Sequence, residues 1–159
     1  MGRFQVHANA LKGLDANEVY PGIWQGSVPP EGSALANLGF KGLVLCAMEH
    51  QPAASRFSGI QVLHAPNDDD FERLPTREEL KLAFQAARGV AKLVSEGSPV
   101  LVTCRMGKNR SGLVSALAIH FLTGLGGLEC LFQVRSHRKG ALGNPGFQEA
   151  LSRLQATSS

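Results

Sequence analysis

The sequence predicts a single α/β domain built on a central, mostly parallel sheet of about four to five strands, with helices on both faces. Two observations carry this reading. Short β-branched runs such as Val100-Leu101-Val102-Thr103 alternate with stretches of three- and four-residue apolar periodicity, the pattern of strands feeding crossover helices. In addition, 159 residues with 43% hydrophobic content suffice for one ordinary core and leave no room for two catalytic domains.

Residues 1–18 have no period and read as an N-terminal arm, followed by one domain over 19–159. Pro21-Gly22 marks a turn, and Ile23-Trp24-Gln25-Gly26 reads as a short strand. The segment 31–38 reads as a short helix ended by Gly39. Residues 42–47 and 60–63 read as apolar strands. A long amphipathic helix follows, since Leu80, Ala83, Phe84, Ala87, Ala91 and Val94 share one face. Thr76 with Glu79 three residues on forms its capping box, and Gly97 supplies the stop. After the strand 99–103, a helix over about 111–123 is apolar nearly all round and is expected at the centre. Further helices are expected over 128–138 and from Asn144, an N-cap with Pro145 in the first helical position.

Composition narrows the function. The net charge is only +3, and the basic residues gather in 105–110 and 135–139 while aromatics make up 6% of the chain. That distribution suits a small anionic ligand and does not predict a nucleic-acid groove of stacked bases. Cys46, Cys104 and Cys130 are an odd set without C-x2-C or zinc spacing, so neither a disulfide scaffold nor a metal site is predicted, and no cofactor is called for. The longest apolar stretch, 113–125, is interrupted by Ser115, His120 and Thr123, and no membrane span is predicted. A reducing, cytoplasmic setting and a monomer are expected.

The chemistry is concentrated in Thr103-Cys104-Arg105-Met106-Gly107-Lys108-Asn109-Arg110-Ser111-Gly112, between a buried strand and a buried helix. Backbone amides in such a loop converge into an anion nest, and the following helix adds positive potential. The same field favours the thiolate form of a sulfur at the nest floor, which makes Cys104 a candidate nucleophile. Arg110, six residues on, returns to face that sulfur with a planar fork for two phosphoryl oxygens. Gly107 permits the turn, and Ser111 stands ready to stabilise the sulfur as a leaving group.

These residues resemble the C-x5-R signature of protein tyrosine phosphatases, in the C-x-x-G-x-x-R-S-G form of the dual-specificity branch. Two further blocks carry the resemblance. Val134-Arg135-x-x-Arg138 followed by Asn144-x-Gly146-Phe147 is similar to the block that closes those domains, and Pro21-Gly22-Ile23-Trp24-Gln25-Gly26-Ser27 is similar to their opening strand. The likeness spans roughly 19–155 and implies a phosphotyrosine-phosphatase-like fold and hydrolysis of phosphomonoesters through a phosphocysteine intermediate. Substrate contacts are implied for Arg105, Met106, Gly107, Lys108, Asn109 and Arg138.

The resemblance also implies a general acid on a loop before the cysteine, and Asn67-Asp68-Asp69-Asp70 occupies that place. Asp68 is the first choice, with Asp69 as the alternative and Asp70 open. Three features depart from the family: Thr103 stands where most members have His, the acid loop lies further before the cysteine, and the spacing from Arg138 to Asn144 is lengthened. The expected partner is a phosphorylated protein or a small phosphorylated molecule. Gly107-Lys108-x-Arg110 also leaves open an inositol phosphate or phosphoinositide substrate, and Thr103 leaves open a catalytically weak phosphate-binding module. Cys46, Cys130, His64, His120 and His137 read as structural or exposed.

Overall fold

The computed structural model describes residues 13–157 together with Phe4 and Val6. In chain order its elements are β1 (Ala16–Tyr20), β2 (Ile23–Gly26), α1 (Ala34–Leu38), β3 (Gly42–Ala47), β4 (Gln61–Asn67), α2 (Arg77–Ser95), β5 (Val100–Thr103), α3 (Arg110–Thr123), α4 (Gly127–His137) and α5 (Pro145–Ser152). The five strands form one sheet in the order β1-β2-β5-β3-β4. Only β1 runs antiparallel to its neighbour; β2, β5, β3 and β4 are mutually parallel. This is the predicted α/β architecture, with β1 as an addition.

β1 begins inside the segment read as an arm, because Ala16-Asn17-Glu18 pair with Trp24-Gln25-Gly26 across the hairpin at Pro21-Gly22. A five-residue edge strand with one buried side chain, Val19, carries little period of its own. Of the predicted arm before β1, residues 13–15 are described together with Phe4 and Val6, which pack against the core, and the rest lies outside the described residues. α1 is also shorter than the predicted 31–38, whereas β4 runs on past 63 to Asn67. That extension carries the chain to the sheet edge where the chemistry lies.

The two faces are covered unequally. One packs α2, α3, α4 and α5 against Val44, Cys46, Val100, Val102 and their neighbours. The other buries Leu43, Leu45 and Leu101 beneath α1, Phe40 and Phe57. β3 and β5 are buried along their whole length, as central parallel strands must be. α3 is buried from Arg110 to His120, in accord with its all-round apolar sequence.

α2 starts at the predicted capping box: Thr76 Oγ1 accepts from the Glu79 amide, and Glu79 Oε1 accepts from the Thr76 amide at 2.8 Å. Asn144 caps α5 by accepting from the amides of Gly146 and Phe147. Because β2, β5, β3 and β4 are parallel, their C-terminal ends share one edge, and the segments that follow them meet there. No single helix among the described residues is long and apolar enough to cross a membrane.

Candidate active site

Four strand ends build the site. Gly26 closes β2, Cys104 follows β5, Glu49 follows β3, and the acidic run 68–70 follows β4. Cys104 is anchored first, its amide donating to the Gly26 carbonyl at 3.2 Å. From there the chain curls through 105–109 and enters α3 at Arg110.

The loop is held from behind by its carbonyls. Gly107 O accepts from Arg138 Nε at 2.7 Å and from Gln25 Nε2 at 3.0 Å, Met106 O accepts from Arg138 Nη2, and Lys108 O accepts from the Leu142 amide at 3.1 Å. In a trans peptide the C=O and the next N–H point in opposite directions. Carbonyls 106–108 turned outward therefore turn amides 107–109 toward the concave side, which forms the anion nest. Gly107 makes this geometry accessible. Its φ is +70°, and an added Cβ would lie 2.4 Å from the Gly26 carbonyl carbon, so backbone meets backbone with nothing able to yield.

Cys104 Sγ lies 3.2 Å from Ser111 Oγ, both buried at the nest floor. Arg110 is buried and grips Glu49 end-on, Nη1 to Oε1 at 2.6 Å and Nη2 to Oε2 at 2.9 Å, while Nη1 also donates to the Asn67 carbonyl. Its Nε is buried and has no partner among the described residues. Nε–H and the second Nη2–H share one edge of the guanidinium, so the fork for two phosphoryl oxygens is that side-on edge. Hydrogen bonds from Arg110 outweigh a smaller burial effect and hold the Glu49 carboxyl down to about 2. Glu49 carries no local motif. Only the return of β3 beside β5 brings it to Arg110, 61 positions away.

The acidic run divides into distinct roles. Both oxygens of Asp69 accept side-chain amide hydrogen bonds, from Asn109 at 3.1 Å and Asn144 at 2.7 Å. Asn109 Oδ1 in turn accepts from the Asn144 amide. Asp69 thus ties the acid loop to both the Cys104 loop and the α5 cap. The Asp68 side chain is 62% exposed, with Arg73 3.9 Å away. Asp70 accepts from the Glu72 amide and lies 3.4 Å from Arg73. Beneath the loop, burial alone would raise the Glu79 carboxyl, but hydrogen bonds from Arg73 and from the Thr76 and Asp68 amides outweigh it and bring it to about 2.

Arg138 is placed differently from the sequence expectation. It is 5% exposed, and besides the loop carbonyls it donates to Asp15 through Nη1 and Nη2 and to Asn17 through Nη1. Its five N–H groups are engaged behind the loop, which leaves none for a substrate in front. The hydrogen bond from Arg138, against some desolvation, lowers the Asp15 carboxyl below its ordinary range. Gln25 plays a matching part from β2. Neither Gln25 nor Asp15 stands out in the sequence.

Arg105 and Met106 are exposed at the loop crest, whereas Lys108 leans aside, its Nζ 3.3 Å from where a Cβ on Gly140 would stand. Thr103 spends its hydroxyl on the Val44 carbonyl at 2.8 Å. Burial, then the neighbouring Cys104, push the Cys46 thiol well above its ordinary value; burial, then Glu129, take Cys130 to about 11. His120 is buried against the Leu125 carbonyl, and His64 and His137 are exposed. No cluster of metal-ligating side chains occurs among the described residues.

The site thus has a cysteine at the floor of an amide nest, with an arginine edge open beside it, at the C-terminal rim of a parallel sheet. Solved phosphatase structures share the fold, a mouse putative dual specificity phosphatase among them at 24% identity and TM-score 0.72, over 87% of this chain and 84% of that one. Tk-PTP in its active form is similar at 24% identity and TM-score 0.73, over 89% of this chain and 96% of that one. Human DUSP28 is similar at 24% identity and TM-score 0.71, over 87% and 90%. PTPMT1 in complex with PI(5)P is similar at 16% identity and TM-score 0.72, over 86% and 92%. No family model and no curated protein matches the sequence.

Proposed function

We propose that this chain hydrolyses phosphomonoesters through a phosphocysteine intermediate, with phosphotyrosine and phosphoserine or phosphothreonine in proteins as its substrate class. The observation that carries the reading is the open Nε and Nη2 edge of Arg110 beside Cys104, fixed from the far side by Glu49.

In this reading Cys104 Sγ attacks phosphorus in line while the loop amides and Arg110 follow the equatorial oxygens into the transition state. The leaving oxygen takes its proton from Asp68. Asp69 has both oxygens committed as acceptors and acts as the anchor of the acid loop. Water then attacks the phosphocysteine, and Ser111 Oγ donates to the departing sulfur from 3.2 Å. Lys108 turned aside leaves the crest with Arg105 as the exposed loop cation, which suits one phosphoryl group better than a multiply phosphorylated inositol.

Cys104→Ser is expected to abolish turnover of an aryl phosphate while vanadate still binds; retained turnover would end the proposal. Asp68→Asn should lower kcat by about 10²-fold on phenyl phosphate and much less on para-nitrophenyl phosphate, whose leaving oxygen needs little protonation. An equal loss on both esters would remove Asp68 from the acid role. Parallel rates on phosphotyrosine peptides, phosphoserine peptides and inositol phosphates test the substrate class, and a dominant inositol rate overturns it. Iodoacetate alkylation of Cys104 that requires alkaline pH would favour a silent phosphate-binding module.

A further inference from the structure

Away from the Cys104 loop, α2, α3 and α5 enclose a groove of about 440 Å³, a volume in the range of small-molecule sites. Its floor and walls are hydrocarbon: Leu113 and Leu117 from α3, Leu80 and Phe84 from α2, and Leu151 and Leu154 at the end of α5. Leu74 and Pro75, which join the acid loop to α2, form one rim. The charged side chains that line it are both cationic, Arg77 from the first turn of α2 and Arg153 after α5. Arg153 pairs with Glu149 at 3.0 Å, but both partners are exposed, and such a pair is readily exchanged.

Among the described residues, the tail turns away from the groove after Leu154. Leu154 O accepts from the Gly127 amide and the Thr157 amide donates to Gly124 O, so residues 154–157 run toward the junction of α3 and α4. An apolar trough lined by two guanidiniums, Arg77 on α2 and Arg153 just after α5, complements a ligand with a hydrocarbon body and an anionic head.

We propose that the groove between α2, α3 and α5 binds a small amphipathic anion, of the class of a medium-chain fatty carboxylate. The hydrocarbon chain lies along the accessible Leu80, Phe84 and Leu154, over the buried Leu113 and Leu117, and the carboxylate accepts hydrogen bonds from Arg77 and Arg153, displacing Glu149 from the latter. This site is separate from the Cys104 loop, so its occupancy is independent of whether the chain turns over phosphomonoesters.

Calorimetric titration of the full chain with dodecanoate, below its micelle concentration, reads binding directly. One saturable site is expected. Arg77→Ala and Arg153→Ala should each weaken it by about threefold to fivefold, and together by about tenfold or more. Dodecanol should bind more weakly than dodecanoate to the wild type and be insensitive to both changes. Ala150→Trp, which adds bulk at a half-buried groove position, should abolish binding of both probes while vanadate binding at Cys104 persists. Absence of saturable dodecanoate binding, equal binding of dodecyltrimethylammonium, or unchanged binding in Ala150→Trp would each overturn the proposal. If Ala150→Trp fails to fold, the arginine variants decide alone, and no loss in the double variant sinks it.

Discussion

The back of the Cys104 loop and the acid loop in front of it are built on opposite plans. Behind the loop, Arg138 is almost wholly buried, and its fixed fork spans Met106, Gly107, Asp15 and Asn17. In front, Asp69 is bonded to Asn109 and Asn144, but the neighbouring Asp68 and Asp70 side chains are reached by Arg73, about a third exposed, only at 3.9 and 3.4 Å, while Arg73 closes tightly on Glu79 and the Leu74 carbonyl. Buried hydrogen bonds to a planar fork fix geometry, whereas long, exposed ion pairs are screened and permit movement. The comparison teaches a division of labour. An anion nest acts through preorganised dipoles and gains nothing from motion, while a proton donor must approach a leaving oxygen and withdraw again.

The largest test of this contrast is Gly107→Ala. With φ at +70° and backbone 2.4 Å from the new Cβ, the loop has to open, and vanadate binding should fall below detection. Wild-type affinity in that variant would mean the nest is more compliant than described. Arg138→Gln comes next. It strips donors from two loop carbonyls and should cost about 2–3 kcal/mol, or roughly 4–12 °C in Tm, with weakened vanadate binding. An Arg138 that served substrate alone would change KM and leave Tm where it was.

Acid titration reads the carboxylates that hold Arg110 and the front loop. The Glu49 and Glu79 carboxyls both stand at about 2 in the folded chain against an ordinary 4.5. A folded value below the unfolded one means the unfolded state takes up protons first as pH falls. Stability from these two groups is therefore complete above about pH 4.5 and is lost progressively as the pH drops toward 2. Glu79→Gln should flatten that acid slope; an unchanged slope would place the linkage elsewhere. The smallest effect is expected for Arg73→Ala, a slight drop in the denaturant midpoint with vanadate affinity intact. A loss as large as that of Arg138→Gln would erase the distinction between back and front.

Much of the site was legible in the sequence because it is local. Cys104, Arg110 and Ser111 sit within eight consecutive residues, so a strand, a tight turn and a helix start bring them together by covalent geometry. The Thr76 and Asn144 caps were readable for the same reason, since a cap bonds within three residues of itself. Asp69 shows the limit of that legibility. As one of three adjacent carboxylates it had no mark of its own until Asn109 and Asn144, 40 and 75 positions away, met on it. Arg138 was read as a substrate ligand because helix position alone does not say which side of a loop a side chain approaches.

By itself the sequence determined the α/β alternation and the close grouping of Cys104, Arg110 and Ser111 in one loop between a buried strand and a buried helix. Each of those follows from periodicity or from contacts a few residues long. Tertiary structure alone decided that Glu49 aims Arg110, that Arg138 with Asp15 and Gln25 braces the loop, and that Asp69 anchors while Asp68 stays exposed. Those contacts join segments 31 to 123 residues apart. Parallel pairing of β2, β5, β3 and β4 with a shared C-terminal edge brings Gln25, Glu49 and Asp69 to the Cys104 loop.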